Sequence, residues 1–184
     1  MYECAQVHLN LGHGDLHLID RNQLAGFLAD VVKVESPVHV TEAARRVLSG
    51  AGVQRLGTRI QEAFEEAVSK GLARKLFIRR ADFLWSVDMQ LVPVRDRSAL
   101  PAPSRKLELI APEEIRRAIQ IVVMEAYGIV PEELPNAVCR LFGFARVTDE
   151  IRTAMELHRD DLLREGFLRL NGLNLVVVPQ PAVQ

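Results

Sequence analysis

Apolar positions recur along the chain in two runs that match when one is shifted by 91 residues, as from Leu24 to Ile115. In the first run, Leu24, Phe27, Leu28, Val31 and Val32 fall at the i, i+3, i+4, i+7, i+8 spacing that turns one face of a helix inward. In the second, Ile115, Ala118, Ile119, Val122 and Val123 fill the same positions. The match is sharpest at Gly52–Ile60, GVQRLGTRI, against Gly143–Ile151, GFARVTDEI. Both segments stand just before a long amphipathic stretch, so each reads as the corner between two helices.

Local signals give the order of elements in the first copy. Residues 1–14 alternate weakly at Val7, Leu9 and Leu11, which predicts an edge strand or an extension. LHLID, from Leu16, reads as a short extended lead-in, and Asp20 as the cap of helix one. Ser36-Pro37 stops that helix, because the residue before proline is pushed out of the helical region. Val38-His39-Val40 predicts a short strand, and Thr41 the cap of a second helix carrying Ala43, Ala44, Val47 and Leu48. Past the corner, Leu56, Ile60, Ala63, Phe64, Ala67 and Val68 mark a third helix closed by Gly71. A strand over 72–78, a turn at 79–82 and a returning strand at Phe83-Leu84-Trp85 complete the copy.

Helix, strand, helix, helix, strand, turn, strand is the winged-helix order, and the closing hairpin separates it from a bare helix-turn-helix. The expected fold is therefore mainly α with short β-hairpins (α+β), a tandem duplicated winged helix-turn-helix. Residues 1–14 form an N-terminal extension, 15–87 copy one, 88–106 a stiff connector with prolines 93, 101 and 103, 107–178 copy two, and 179–184 a tail. In copy two, LELIA repeats LHLID, Ile129 and Val130 repeat the strand, and Leu134, Val138 and Leu141 repeat the second helix. Ile151, Ala154, Met155, Leu162 and Leu163 repeat the third. Pairing Gly71 with Gly166 gives a shift of 95, which predicts a third helix one turn longer in copy two, followed by a shorter hairpin around Asn171-Gly172.

Charge divides the two copies. The whole chain of 184 residues carries a net −1, against the basic surplus of a dedicated nucleic-acid binder. Residues 16–87 hold 11 Lys+Arg and 8 Asp+Glu, a surplus of +3, whereas 107–178 hold 8 and 12, a surplus of −4. Copy one thus offers the nucleic-acid contact. Arg55, Thr58 and Arg59 stand at the start of helix three, the end that a winged helix inserts into the major groove. Arg74, Lys75, Arg79 and Arg80 sit on the wing, where they can straddle a phosphate backbone. Glu62, Glu65 and Glu66 share helix three's outer face and oppose that contact. In copy two, Asp149 and Glu150 replace Thr58 and Arg59, so its partner is expected to be a protein surface.

No catalytic constellation appears. GAGVQRLG lacks the GK[ST] ending of a phosphate loop and lies between helices, where its glycines serve the tight corner. Acid pairs such as Glu65-Glu66 and Asp160-Asp161 are adjacent and splay around a helix. Ser36, Ser49 and Ser104 have no base at recognisable spacing, and Cys139 falls on a core face. His8, His13 and His17 near Cys4 and Asp15 match no structural zinc spacing, and His39 and His158 read as ordinary strand or surface histidines. Neither a metal nor a cofactor is expected. Two separated cysteines fit a reducing cytoplasm, and no apolar run approaches the ~20 residues of a membrane span.

The runs VESPVHVTEAARRVLSGAGVQRLGTRI, ADFLW, PVRDRS and LELIAPEEIRRAI, in that order, resemble a bacterial domain of unknown function found near the C-terminus of very large proteins. Those proteins typically carry a superfamily I DNA helicase core and often a nuclease domain related to very-short-patch repair endonucleases. The resemblance spans roughly residues 15–178 and implies a non-catalytic accessory module of a DNA helicase or nuclease system. DNA, duplex or forked, is then the expected partner of copy one. Helicase or nuclease domains, or another subunit, are the expected partners of acidic copy two. The rival expectation is a protein-interaction or dimerisation scaffold built on the same folds.

Overall fold

A computed structural model describes residues 1–9, 16–53 and 57–179, and the chain divides into two compact units. One is Glu3–Leu91; the other is Met1–Tyr2 with the chain from Val92 on. The architecture is α+β, with six α-helices and two small antiparallel sheets among the described residues.

In the Glu3–Leu91 unit, α1 (Arg21–Glu35) starts where the Asp20 carboxylate accepts hydrogen bonds from the N–H groups of Asn22 and Gln23. It buries Leu24, Leu28, Val31 and Val32 as the spacing requires, with Phe27 half-buried beside them. Strand β1 (Val38–His39) is followed at once by α2 (Val40–Gly50). The cap of α2 is the His39 ring, whose Nδ1 accepts from Thr41 N–H at 3.2 Å, and not Thr41 as the sequence suggested. Thr41 already lies inside the first turn, and the imidazole two residues earlier takes its N–H. Next come α3 (Thr58–Ala73), β2 (Ile78–Arg80) and β3 (Phe83–Trp85), and β3 lies between β1 and β2. The core is packed from α1, α2 and α3 over Leu84 of the sheet.

The second unit has α4 (Pro112–Glu125), α5 (Leu134–Phe142), α6 (Asp149–Arg164) and a hairpin of β4 (Leu168–Asn171) and β5 (Asn174–Val177). A single bridge from Ile129 to Leu175 takes the place of the expected 129–130 strand, so β5 is again the inner of three extended segments.

Several expectations change. LHLID and LELIA are not extended: Leu16–Leu18 and Leu107–Leu109 are single tight turns, with Ile19 N–H bonded to Leu16 O and Ile110 N–H to Leu107 O. Alternating leucines look like a strand, but neither segment has a strand to pair with. Residues 1–9 form no strand either; they run irregularly, with Val7 in the core. Gly71 does not end α3 but lies buried inside it, and the helix runs on to Ala73. The strand expected from 72 begins at Ile78, so Arg79 and Arg80 are strand residues, and the turn is Ala81-Asp82.

The longer third helix is also corrected. Helices α3 and α6 are both 16 residues, and their bounds differ by the same 91 as the corners. Gly71 therefore corresponds to the buried Leu162, while Gly166 corresponds to Lys75, and both of these take positive φ (+77° and +56°). The two glycines misled because one is chosen for close packing and the other for backbone handedness. The second hairpin is not shorter: its strands have four residues each against three.

From Val92 the expected connector belongs to the second unit. Arg95, Arg97, Leu100 and Ser104 are buried there, and Arg97 N–H bonds to the carbonyl of Phe142 at 2.9 Å. Gly143, at φ +75°, ends α5 against this segment: a β-carbon there would lie 2.1 Å from an Asp96 carboxylate oxygen and 2.6 Å from Ser98 N. Gly52, at φ +71°, ends the corresponding corner, and a β-carbon there would meet no atom of the described residues within 4 Å. Alanine at either site incurs left-handed strain of about 1–2 kcal/mol. Gly143→Ala should cost at least about 1 kcal/mol more than Gly52→Ala, since Asp96 or the backbone must also move. Urea unfolding midpoints of the two variants check this, and equal losses would contradict it.

Candidate nucleic-acid interface

The N-terminal end of α3 is built differently from that of α6. Gly57 precedes α3 in an extended conformation, no side chain among the described residues caps the helix, and no acid lies in its first turn. The free N–H groups and the helix dipole therefore leave partial positive charge there, beside the exposed Thr58 and Arg59. In α6 the Thr148 hydroxyl accepts from Ile151 N–H, and Asp149 and Glu150 occupy the first turn. One helix start is open to an anion, and the other already carries two.

Further along α3, the glutamates that would repel phosphate are partly neutralised. Glu65 accepts from Arg79 Nη1 at 3.0 Å, and Glu66 from Arg21 Nε at 2.6 Å. Arg21, at the start of α1, went unnoticed in the sequence because the pairing spans 45 residues. Such exposed pairs add little stability, but they cancel two negative charges on the outer face of the helix. Glu62 is exposed.

The seven cationic and polar candidates do not converge on one spot. Arg55 lies outside the described residues. Thr58 and Arg59 stand together at one end of α3. Arg74 and Lys75 follow its other end, roughly 24 Å away at 1.5 Å per residue, and Arg74 Nη1 donates to Asn22 O at 3.3 Å. Arg79, on the exposed edge strand β2, also donates to Ala81 O and lies 3.7 Å from Asp82. Its charge is committed locally. Arg80 lays its guanidinium over the Trp85 ring at 4.5 Å, a cation–π contact.

Charge counted over the folded units differs from charge counted over the repeats. Glu3–Leu91 holds 11 Lys+Arg and 11 Asp+Glu, and Val92 onward holds 12 and 13, so the units are net 0 and −1. The contrast between repeats arises because Glu3, Asp15 and Asp88 fall outside one window, and Arg95, Asp96, Arg97, Arg105 and Lys106 outside the other. Any preference for an anion is thus local, set by helix ends and individual pairs.

Burial pushes the Cys139 thiol up. It does the same for Cys4, although the Arg46 charge beside Cys4 opposes the shift. Both thiols are therefore poor nucleophiles at neutral pH. His158 is half-buried on α6 instead of lying on the surface; its burial, and then Arg116, hold it below the ordinary histidine value. No helix among the described residues is long and apolar enough to cross a membrane.

Residues 14–62 match the model of a family described as a protein of unknown function, DUF3320. The matched stretch runs through α1, β1 and α2 into the first turns of α3. No curated protein and no solved structure matches the chain.

Proposed function

We propose that this chain is a non-catalytic pair of winged helices derived from one ancestral unit, serving as an accessory module of a DNA helicase or nuclease system. The 91-residue shift common to α1 and α4, α3 and α6, and the two corners supports the duplication. The arrangement of three extended segments, with the last one in the middle, supports the winged-helix reading. In this reading the Glu3–Leu91 unit contacts duplex or forked DNA. The observation that carries it is the uncapped, acid-free start of α3 bearing Thr58 and Arg59. The second unit, whose α6 opens with two carboxylates, presents that helix to a protein partner.

Titration of the full chain against duplex and forked DNA at several salt concentrations tests this. A slope of log affinity against log salt near −3 to −4 corresponds to about four neutralised phosphates. Arg59→Ala should weaken binding and reduce the slope by about 1. Arg79→Ala should also weaken binding, because it leaves the Glu65 carboxylate free to repel phosphate. Absence of binding at low salt, or indifference to Arg59→Ala, would favour the interaction-scaffold reading.

A further inference from the structure

In the second unit, the segment after Pro101 and the corner between α5 and α6 enclose an open groove of about 530 Å³, a size typical of small-ligand sites. Its charged lining is mixed: Arg105, Lys106 and Arg146 against Glu108 and Glu150. Lys106 pairs with Glu108 at 3.2 Å, both well exposed. Among the described residues, the Arg105 and Arg146 side chains make no ion pair and no hydrogen bond. Both arginines therefore line the groove with no partner among the described residues. Phe144 also lines it, half-buried, with its ring against that of Phe142 at a centroid distance of 6.1 Å.

A groove for a bare polyanion would not carry two carboxylates. One for an apolar peptide would not present three cations. Planar aromatic surface, free guanidinium groups and carboxylate acceptors suit one ligand class together: an aromatic base with exocyclic amino groups, attached to a phosphate. We propose that this groove binds an unpaired nucleotide of single-stranded nucleic acid, with phosphate on Arg105 and Arg146 and the base stacked on Phe144. Glu108 and Glu150 accept from the base amino groups, which favours cytosine over thymine, since thymine has a carbonyl where cytosine has an amine. This site lies in the unit assigned above to protein contact, and it does not rest on the duplex reading of the other unit.

The test is fluorescence-anisotropy titration of the full chain with a labelled single-stranded oligodeoxycytidylate of about eight nucleotides. Arg146→Ala, at an exposed position, should weaken binding about tenfold. Phe144→Leu, which keeps apolar bulk against the core, should weaken it by a similar factor. Arg169→Ala, at an exposed position on β4 outside the lining of the groove, should leave it unchanged. An oligothymidylate should bind less tightly, and inorganic phosphate at equal concentration should not displace the strand. Unchanged affinity in both Arg146→Ala and Phe144→Leu overturns the proposal. Loss with Arg59→Ala alone overturns it too, and assigns the binding to α3 instead. Loss with Arg146→Ala but not with Phe144→Leu, together with displacement by phosphate, reduces the groove to an anion site without a base and likewise overturns it.

Discussion

Glu114→Gln should lower the stability of the second unit by about 3–5 kcal/mol, the usual cost of removing one partner from a buried ion pair. Glu114 is fully buried on the first turn of α4 and serves two arginines at once. One carboxylate oxygen accepts from Arg95 N–H at 3.0 Å and Arg97 Nη1 at 2.8 Å; the other accepts from Arg95 Nη2 at 2.7 Å and Arg97 Nη2 at 2.8 Å. The Tyr2 ring covers both guanidinium groups, at 4.7 and 5.1 Å, and the Phe142 ring lies 5.5 Å from Arg97. Glutamine would remove the carboxylate charge that both guanidinium groups share.

The pH dependence has a definite sign. Burial alone pushes the Glu114 carboxyl up, but hydrogen bonds and charge from Arg97, and then Arg95, outweigh it and hold the group below the ordinary value of 4.5. A carboxylate lowered on folding contributes stability that is complete above its unfolded value and is lost as pH falls through the folded one. Wild type should therefore lose stability in acid below pH 4.5, whereas Glu114→Gln should lack that part of the profile. For a unit of this size the midpoint at neutral pH should fall by on the order of 15 °C. Hydrogen exchange should place the added opening in residues 92–98 and α4. A midpoint within about 2 °C of wild type would mean that Glu114 is not the anchor of this segment.

That anchor explains where sequence reading stops. Both core faces were legible because helical spacing repeats locally: Leu24, Leu28, Val31 and Val32, and likewise Ile115, Ile119, Val122 and Val123, are buried as expected. PVRDRS was not legible in the same way. Two arginines flanked by proline and serine look like solvated linker, and what buries them is a glutamate 17 and 19 residues further on. Nothing in a local window distinguishes Glu114 from Glu113, which is only half-buried. The candidate interface shows the same limit. Thr58 and Arg59 were found because helix starts have a local grammar, but the pairing of Arg79 with Glu65 and of Arg21 with Glu66 depends on tertiary approach. The groove of Arg105, Phe144 and Arg146 joins segments about 40 residues apart, one of which had been set aside as connector.

The second large effect concerns Gly71. A β-carbon at this position would lie 2.2 Å from Cζ and 2.7 Å from Cε1 of Phe77, whose ring is itself 1% exposed and has no room to withdraw. At the positions 91 residues later stand Leu162 and Leu168, both also 1% exposed. Under the duplication proposed above, one unit fills this slot with a glycine and an aromatic ring, the other with two leucines. Gly71→Leu alone should destabilise the Glu3–Leu91 unit by about 1–3 kcal/mol or more, by overpacking. Phe77→Leu alone should cost roughly 1–2 kcal/mol, less than the loss of a whole buried ring because fewer atoms leave. Together they reproduce the leucine pair of the other unit, and leucine is about 1 kcal/mol better than glycine inside a helix. The double variant should therefore return close to wild type, a favourable coupling of about 2 kcal/mol or more in a double-mutant cycle read from urea midpoints at constant slope. Additive losses would mean that the two slots are not equivalent in space. The shared 91-residue shift would then describe the order of elements without describing how their side chains pack.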